Sequence, residues 1–193
     1  MISDEYKEQL RQTREGWEGW GSSAGRNGAL ALTQALEKRT QIVSVLDFGC
    51  GTGVMGEVVR LHQANGLLRK DVVIHDYDPS VPGKDVIPTG QFDMIMSCDV
   101  MEHIEPESLD ETLAWQRDHC KYTMFHHIDC NETRDRLPDG RDVHLIVQPP
   151  EWWQAKYASP QWNLQQRTIL EKYKAGRLLP RTSVTLILDR RGQ

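Results

Sequence analysis

The chain has 193 residues, 38% of them hydrophobic and 26% charged, with a formal net charge of −5. That length suits one domain with a sizeable core, and the acidic balance argues against an extended nucleic-acid surface, although Arg and Lys recur around 134–141 and 167–181. No apolar run approaches the roughly 18 residues of a membrane span, and no secretory or lipidation signature is present, so a soluble cytoplasmic protein with no membrane partner is expected.

In chain order, "MISDEYKEQLRQTRE" is charged with few apolar anchors and suits a surface helix or a mobile arm. "GWEGWGSSAGRNG" follows, its glycines flanking Trp17 and Trp20, which could close over a ligand as a lid or pack against the sheet. A single domain is expected, with residues 1–28 as an N-terminal arm or lid and 29–193 as the core. Leu30, Leu32, Ala35 and Leu36 form a helical stripe leading into the first strand, Val43, Val45 and Leu46 being apolar and mostly β-branched. After the glycines of "DFGCGTG" a helix begins near Val54 and stops near Gly66. "VVIHDYD" (72–78) predicts a second strand and "FDMIMSCDV" (92–100) a third. "PESLDETLAWQRDH" predicts the helix after it, and "KYTMFHHID" (121–129) the next strand. "PPEWWQAKY" predicts a short helix. "WNLQQRTIL" and "TSVTLILD" then suggest a closing antiparallel hairpin, with a helix over 161–175 as the alternative. Strands alternating with helices imply an α/β fold, a mostly parallel sheet covered on both faces with a ligand crevice at the carboxyl ends of its strands.

The glycine stretch supports two registers. From Gly51 it reads Gly51, Gly53, Gly56, the spacing of a dinucleotide loop; from Asp47 it reads Asp47, Gly49, Gly51, Gly53. Both place backbone N–H groups around a ligand at a helix start. An acid about 20 residues past the glycines is present as Asp76 in either case, so Asp47 discriminates better. In the dinucleotide register it is a carboxylate inside a strand; in the other it stands at the strand mouth beside a ligand's ammonium group.

"VLDFGCGTG", the acid-ended "VVIHDYDPS" and "FDMIMSCDVMEHIEPE", in that order, resemble the class I S-adenosylmethionine-dependent methyltransferases of Rossmann-like fold. The similarity covers residues 43–130, and "LPDGRDVHLIVQPPEWW" resembles a segment of small bacterial and phage-type members. It implies S-adenosylmethionine as cofactor, held by Asp47, Gly49, Cys50, Gly51 and Gly53, with Asp78 or Asp76 on the ribose, Asp78 being favoured by the Asp-Pro step. Asp99 would line the pocket, and Trp20 is a further cofactor-contact candidate. One departure stands out: only 13 residues separate Asp78 from Phe92. The family fits a helix, a strand and an adenine-contacting loop there, so the sheet is expected to be trimmed on that edge.

A sulfonium already activates its methyl group, so the protein needs only to align an acceptor, exclude water and, where required, remove a proton. His144 in "GRDVHL" is the preferred base or substrate ligand, followed by Asp99 and His103. Alternation of Val143, Leu145 and Val147 against His144 and Ile146 predicts an extended segment crossing the crevice. No metal is expected: in "HCKYTMFHHIDC", strand alternation sends His126 and His127 to opposite faces. Cys50, Cys98, Cys120 and Cys130 are scattered and read as thiols. A small-molecule acceptor is the default, with nucleic acid or protein left open. A silent S-adenosylmethionine-binding protein and a nucleotide-dependent oxidoreductase are the alternative functions.

Overall fold

Short, largely apolar runs, buried on both faces in the central strands, form a single sheet. The computed structural model describes residues 2–16, 24–172 and 181–192, the side chains of 24–30 and 172 excepted. Strands β1 (Ser44–Phe48), β2 (Val73–Tyr77), β3 (Phe92–Cys98), β4 (Cys120–Asp129), β5 (Trp162–Lys172) and β6 (Arg181–Arg190) lie in the order β2-β1-β3-β4-β6-β5. The first four pair in parallel, and β6 runs antiparallel between β4 and β5. The closing hairpin therefore forms, and the helical alternative over 161–175 does not.

Between β2 and β3 the chain makes turns and no strand, leaving β2 as the sheet edge, as the short spacing predicts. From β1 the chain first adds β2 on one side and then β3 on the other. The order thus reverses between β1 and β3, which opens a crevice at their carboxyl ends.

Alternation sorts the strand residues onto two cores. Val45, Met94, Met96, Phe125 and Ile187 face Leu32, Ala35 and Leu36 of α2 (Ala24–Lys38) and Met55 and Val59 of α3 (Val54–Ala64). Leu46, Phe48, Ile95, Met124 and Leu186 face Leu109 and Leu113 of α4 (Leu109–His119) and Trp153 and Tyr157 of α5 (Pro150–Tyr157). Burying such side chains contributes about 1.5–3 kcal/mol each, and the tryptophan of "PPEWW" has this packing role. The charged N-terminal stretch forms α1 (Asp4–Gly16), started by Ser3, whose hydroxyl accepts the Tyr6 N–H at 3.1 Å. It is anchored more firmly than its charge suggests: Ile2 and Tyr6 are buried in the second core, and the Ser3 amide and hydroxyl donate to the Glu105 carboxylate at 2.6 and 2.8 Å.

Residues 143–147 do not form the alternating extended segment that their pattern predicts. The stretch is irregular, with Val143, His144 and Ile146 all buried, because its backbone bonds to loops and not to a neighbouring strand. No helix among the described residues is long and apolar enough to cross a membrane.

Candidate active site

The glycine loop begins where β1 ends. The Gly49 and Cys50 amides both donate to the Tyr77 carbonyl, at 2.7 and 3.0 Å, which sews the loop to the end of β2. Gly49, Gly51 and Gly53 have φ of 82°, 55° and 92°, a region that side chains disfavour. At Gly49 a Cβ would also fall 2.5 Å from Val100 Cγ1, so the loop and the end of β3 approach as closely as a bare backbone permits.

Over this loop and the ends of β1–β4 lies a cavity of about 280 Å³. Gly49, Gly51, Asp78, Asp99, His103 and His144 line it, so the structure brings these predicted residues together. Asp47, Cys50, Gly53 and Asp76 are not among its lining residues, and Trp20 lies outside the described residues.

Strand register explains the division. Asp47 pairs with Asp76 across β1 and β2, so both point to the same face, that of α3. Asp76 is bridged to Lys84 at 2.9 Å beneath the start of α3. Asp47 is 3% exposed and its Oδ2 has no hydrogen-bond partner; burial, and then the neighbouring Asp76, push its carboxyl up to about 8. Asp78 lies one residue past β2 and turns to the cavity. Its Oδ2 accepts from the Gly51 amide at 2.9 Å and from Arg14 at 3.3 Å, and its Oδ1 accepts from the Ser80 amide and hydroxyl at 2.9 and 2.7 Å.

At the end of β3, Asp99 takes φ 54°, the one described non-glycine residue with positive φ, and its amide donates to the His127 carbonyl at 2.9 Å. Such a conformation at a cavity wall is a common mark of a functional position. His103 follows on the 3₁₀ turn Met101–His103. Its Nδ1 meets the Val143 carbonyl at 2.7 Å, and its ring lies edge-on to His144 at 4.7 Å between centroids. Burial, and then His144, hold the His103 imidazole down at about 3, so it is neutral. His144 Nδ1 meets the Asn131 carbonyl at 2.6 Å. His126 and His127 point apart as alternation predicts, toward Ser97 and Tyr157 and toward Thr185 and Asp99 respectively.

The sequence anticipates an arm or lid in residues 1–28, but not which of its residues reach the site. Ile2, Tyr6, Leu10 and Arg14 all line the cavity, and the Tyr6 hydroxyl donates to the His103 carbonyl at 2.6 Å. Tyr6, Leu10 and Arg14, four apart on one face of α1, were the available signal, with Ile2 just before the helix. Arg181 also lines the cavity unforeseen; it pairs with Asp129.

The lining fits S-adenosylmethionine on two counts. Glycines at positive φ give a cradle that admits close backbone contact, and an acid at the end of the second strand faces the cavity from the other side of that loop.

Residues 21–192 match the family described as "Methyltransferase domain". No curated protein sequence matches the chain. Among solved structures, the Burkholderia thailandensis 1,6-didemethyltoxoflavin-N1-methyltransferase, with bound 1,6-didemethyltoxoflavin and S-adenosylhomocysteine, is similar with a TM-score of 0.61 at 16% identity, over 98% of this chain and 91% of that one. Magnesium protoporphyrin IX methyltransferase from Synechocystis, with bound S-adenosylmethionine, has a TM-score of 0.56 at 13% identity, over 95% of this chain and 90% of that one. Coclaurine N-methyltransferase, bound to N-methylheliamine and S-adenosylhomocysteine, has a TM-score of 0.51 at 11% identity, over 83% and 72%. With the glycine loop, the strand-end acid and the sheet order all in place, the chain belongs to the methyltransferase-domain family and is a class I S-adenosylmethionine-dependent methyltransferase of Rossmann-like fold.

Proposed function

We propose that this enzyme works in the cytoplasm and methylates a small molecule held between α1 and the ends of β3 and β4. The observation that carries this reading is the cavity wall beyond the glycine loop. Ile2, Tyr6, Leu10, Val100, Ile104 and Val143 make it apolar, and α1 closes over it, which suits a small acceptor better than a polymer strand. The names of the similar structures, which give small acceptors, support the same class.

S-adenosylmethionine, when bound, supplies a methyl group already activated by its sulfonium. In the proposed division of labour, Gly49 and Gly51 present backbone to it, with Asp47, Cys50 and Gly53 supporting the loop. Asp78 accepts from the ribose, with Asp76 holding Lys84 on the other face, and Asp99 lines the pocket. His144 takes a proton from the acceptor or orients it, with Asp99 and His103 beside it. The carbonyl on its Nδ1 favours the tautomer with a lone pair on Nε2. Residues 1–28 act as the arm over the 29–193 core, with α1 bringing Tyr6, Leu10 and Arg14 to the cavity and Trp17 and Trp20 as candidates for its closing face.

Binding calorimetry with S-adenosylmethionine, S-adenosylhomocysteine and NAD, followed by transfer of labelled methyl to a panel of small molecules, oligonucleotides and peptides, tests the reading. Cofactor binding with transfer only to small molecules is expected. Transfer only to a macromolecule overturns the acceptor class, and binding with no transfer at all favours a silent binding protein.

A further inference from the structure

We propose that Glu102, His103 and His144 form a divalent transition-metal site in the wall of the cavity, with Zn²⁺ as the best-suited ion. Among the described residues these three are a group whose ligand atoms all lie within 4.8 Å of one another. Binding at about 2.1 Å from each would draw them to roughly 3.4 Å apart.

The carboxylate is the first reason. Glu102 is 0% exposed; its Oε1 accepts the Asp129 amide at 2.8 Å, while its buried Oε2 has no hydrogen-bond partner. Leaving a buried carboxyl oxygen unmatched is costly, and a cation is one of the few groups that answers it fully. The imidazoles are the second. Both rings direct Nδ1 at a backbone carbonyl, His103 at Val143 and His144 at Asn131. A donated Nδ1–H puts the lone pair on Nε2, and this is how metal-binding histidines are commonly oriented.

Backbone hydrogen bonds hold the ligand set without an ion. The Ile146 amide donates to the Glu102 carbonyl at 2.9 Å, and with the His103–Val143 bond this fixes the His144 segment against the turn bearing Glu102 and His103. Glu102 lies at the back, whereas His103 and His144 line the cavity, so the open coordination position faces inward. Two imidazoles, one carboxylate and an open position are a ligand set used for catalytic zinc and for non-haem iron. An acceptor oxygen or nitrogen would take the open position, and in the loaded site His144 would serve as a ligand and not as a base. That assignment of the open position rests on the proposed function; the metal site does not.

The test uses the full chain freed of metal by a chelator and titrated with Co²⁺ and then Zn²⁺, with S-adenosylhomocysteine affinity as the check on folding. One Co²⁺ per chain, with the visible absorption of a four- or five-coordinate nitrogen–oxygen site and displacement by Zn²⁺, is expected. Three variants keep the scaffold: Glu102→Gln retains the acceptor for Asp129, while His103→Asn and His144→Asn each retain a donor near the Nδ1 position. Each should weaken Zn²⁺ by more than the about 10- to 100-fold that partners outside the coordination sphere are worth, with S-adenosylhomocysteine binding preserved. No stoichiometric metal binding in protein that binds S-adenosylhomocysteine overturns the site. So does metal binding that persists in all three variants, or a thiolate-to-cobalt absorption that places the ion on a cysteine. Because cofactor binding is measured separately, failure of the metal site leaves the methyltransferase reading intact.

Discussion

Asp78→Ala and Asp76→Ala should separate two acids that differ by two positions in sequence and by a sheet face in space. Asp78 faces the cavity and accepts from Gly51, Ser80 and Arg14 at 2.7–3.3 Å, so its carboxylate is fixed before any ligand arrives. Removing a charged acceptor costs about 1.5–3 kcal/mol for the hydrogen bonds it makes to a ligand. At about 1.4 kcal/mol per tenfold, S-adenosylhomocysteine affinity should fall roughly 10- to 150-fold. Asp76 has Lys84 at 2.9 Å, both side chains about one-quarter exposed, and such a pair is worth at most about 1 kcal/mol. Its loss should leave affinity within about a factor of three, since one kilocalorie is about fivefold at most and none of it is a direct ligand contact. Calorimetry with S-adenosylhomocysteine reads both, on variants whose circular dichroism matches the parent. If Asp76→Ala weakens binding and Asp78→Ala does not, the ribose acid lies on the other face and the role given to the cavity is wrong.

Three further outcomes follow from the same geometry. Gly51 has φ 55° and lines the cavity, so Gly51→Val forces a β-branched residue into the left-handed region and should abolish cofactor binding; unchanged affinity in a folded variant would remove the loop from the site. His144→Asn keeps a donor toward Asn131 but loses Nε2. It should reduce turnover by roughly 10² or more while S-adenosylhomocysteine affinity stays within about threefold, and a parallel loss of both would make His144 a framework residue. His126 is buried, and desolvation holds its imidazole down at about 3, below its unfolded value of about 6.5. Its contribution is therefore fully present above about pH 6.5 and lost as pH falls toward 3, because the unfolded chain takes up a proton that the folded chain refuses. In urea unfolding, His126→Gln should flatten that decline relative to the parent between pH 7 and 5; equal slopes would refute the account. The difference between the two proteins is the quantity to read, since Asp47, held up at about 8, acts with the opposite sign.

Much of the fold was legible because its signals are local. The runs at 44–48, 73–77, 92–98 and 120–129 are apolar-rich stretches of strand length with acids at or near the strand mouths, and the spacing from Asp78 to Phe92 was too short for another. The hairpin was harder, since "WNLQQRTIL" favours helix by composition, and what decides it is pairing with β6, a contact the segment does not encode alone. The stretch 143–147 failed for the related reason that its alternation has no partner strand; its polar groups bond instead to Asp135, Asp142 and Glu102. At the site, the acids at strand ends were readable, but which face each serves depends on the exit geometry of β2. Nothing in "FDMIMSCDVMEHIEPE" marks Glu102, because its value lies in an unmatched oxygen that only packing against Asp129 and the loop of His144 creates.

The cavity's charge carries one more step from structure to chemistry. Asp78, Asp99, Asp129 and Asp135 line it, against Arg14 and Arg181, and each arginine pairs with one of these aspartates. His103 is held neutral, so among the described lining residues the formal sum is negative. S-adenosylmethionine carries a sulfonium that the demethylated product lacks, so a negative wall at low local dielectric favours the reactant over the product. Asp78, pre-bonded by Gly51, Ser80 and Arg14, needs little reorganisation when a ligand arrives, whereas Asp47, buried on the other face and raised to about 8, adds little fixed charge at neutral pH. The two acids that bracket the glycine loop thus differ: one is a fixed, arginine-paired carboxylate in the cavity wall, and the other occupies the α3 face beneath the loop as a largely neutral group.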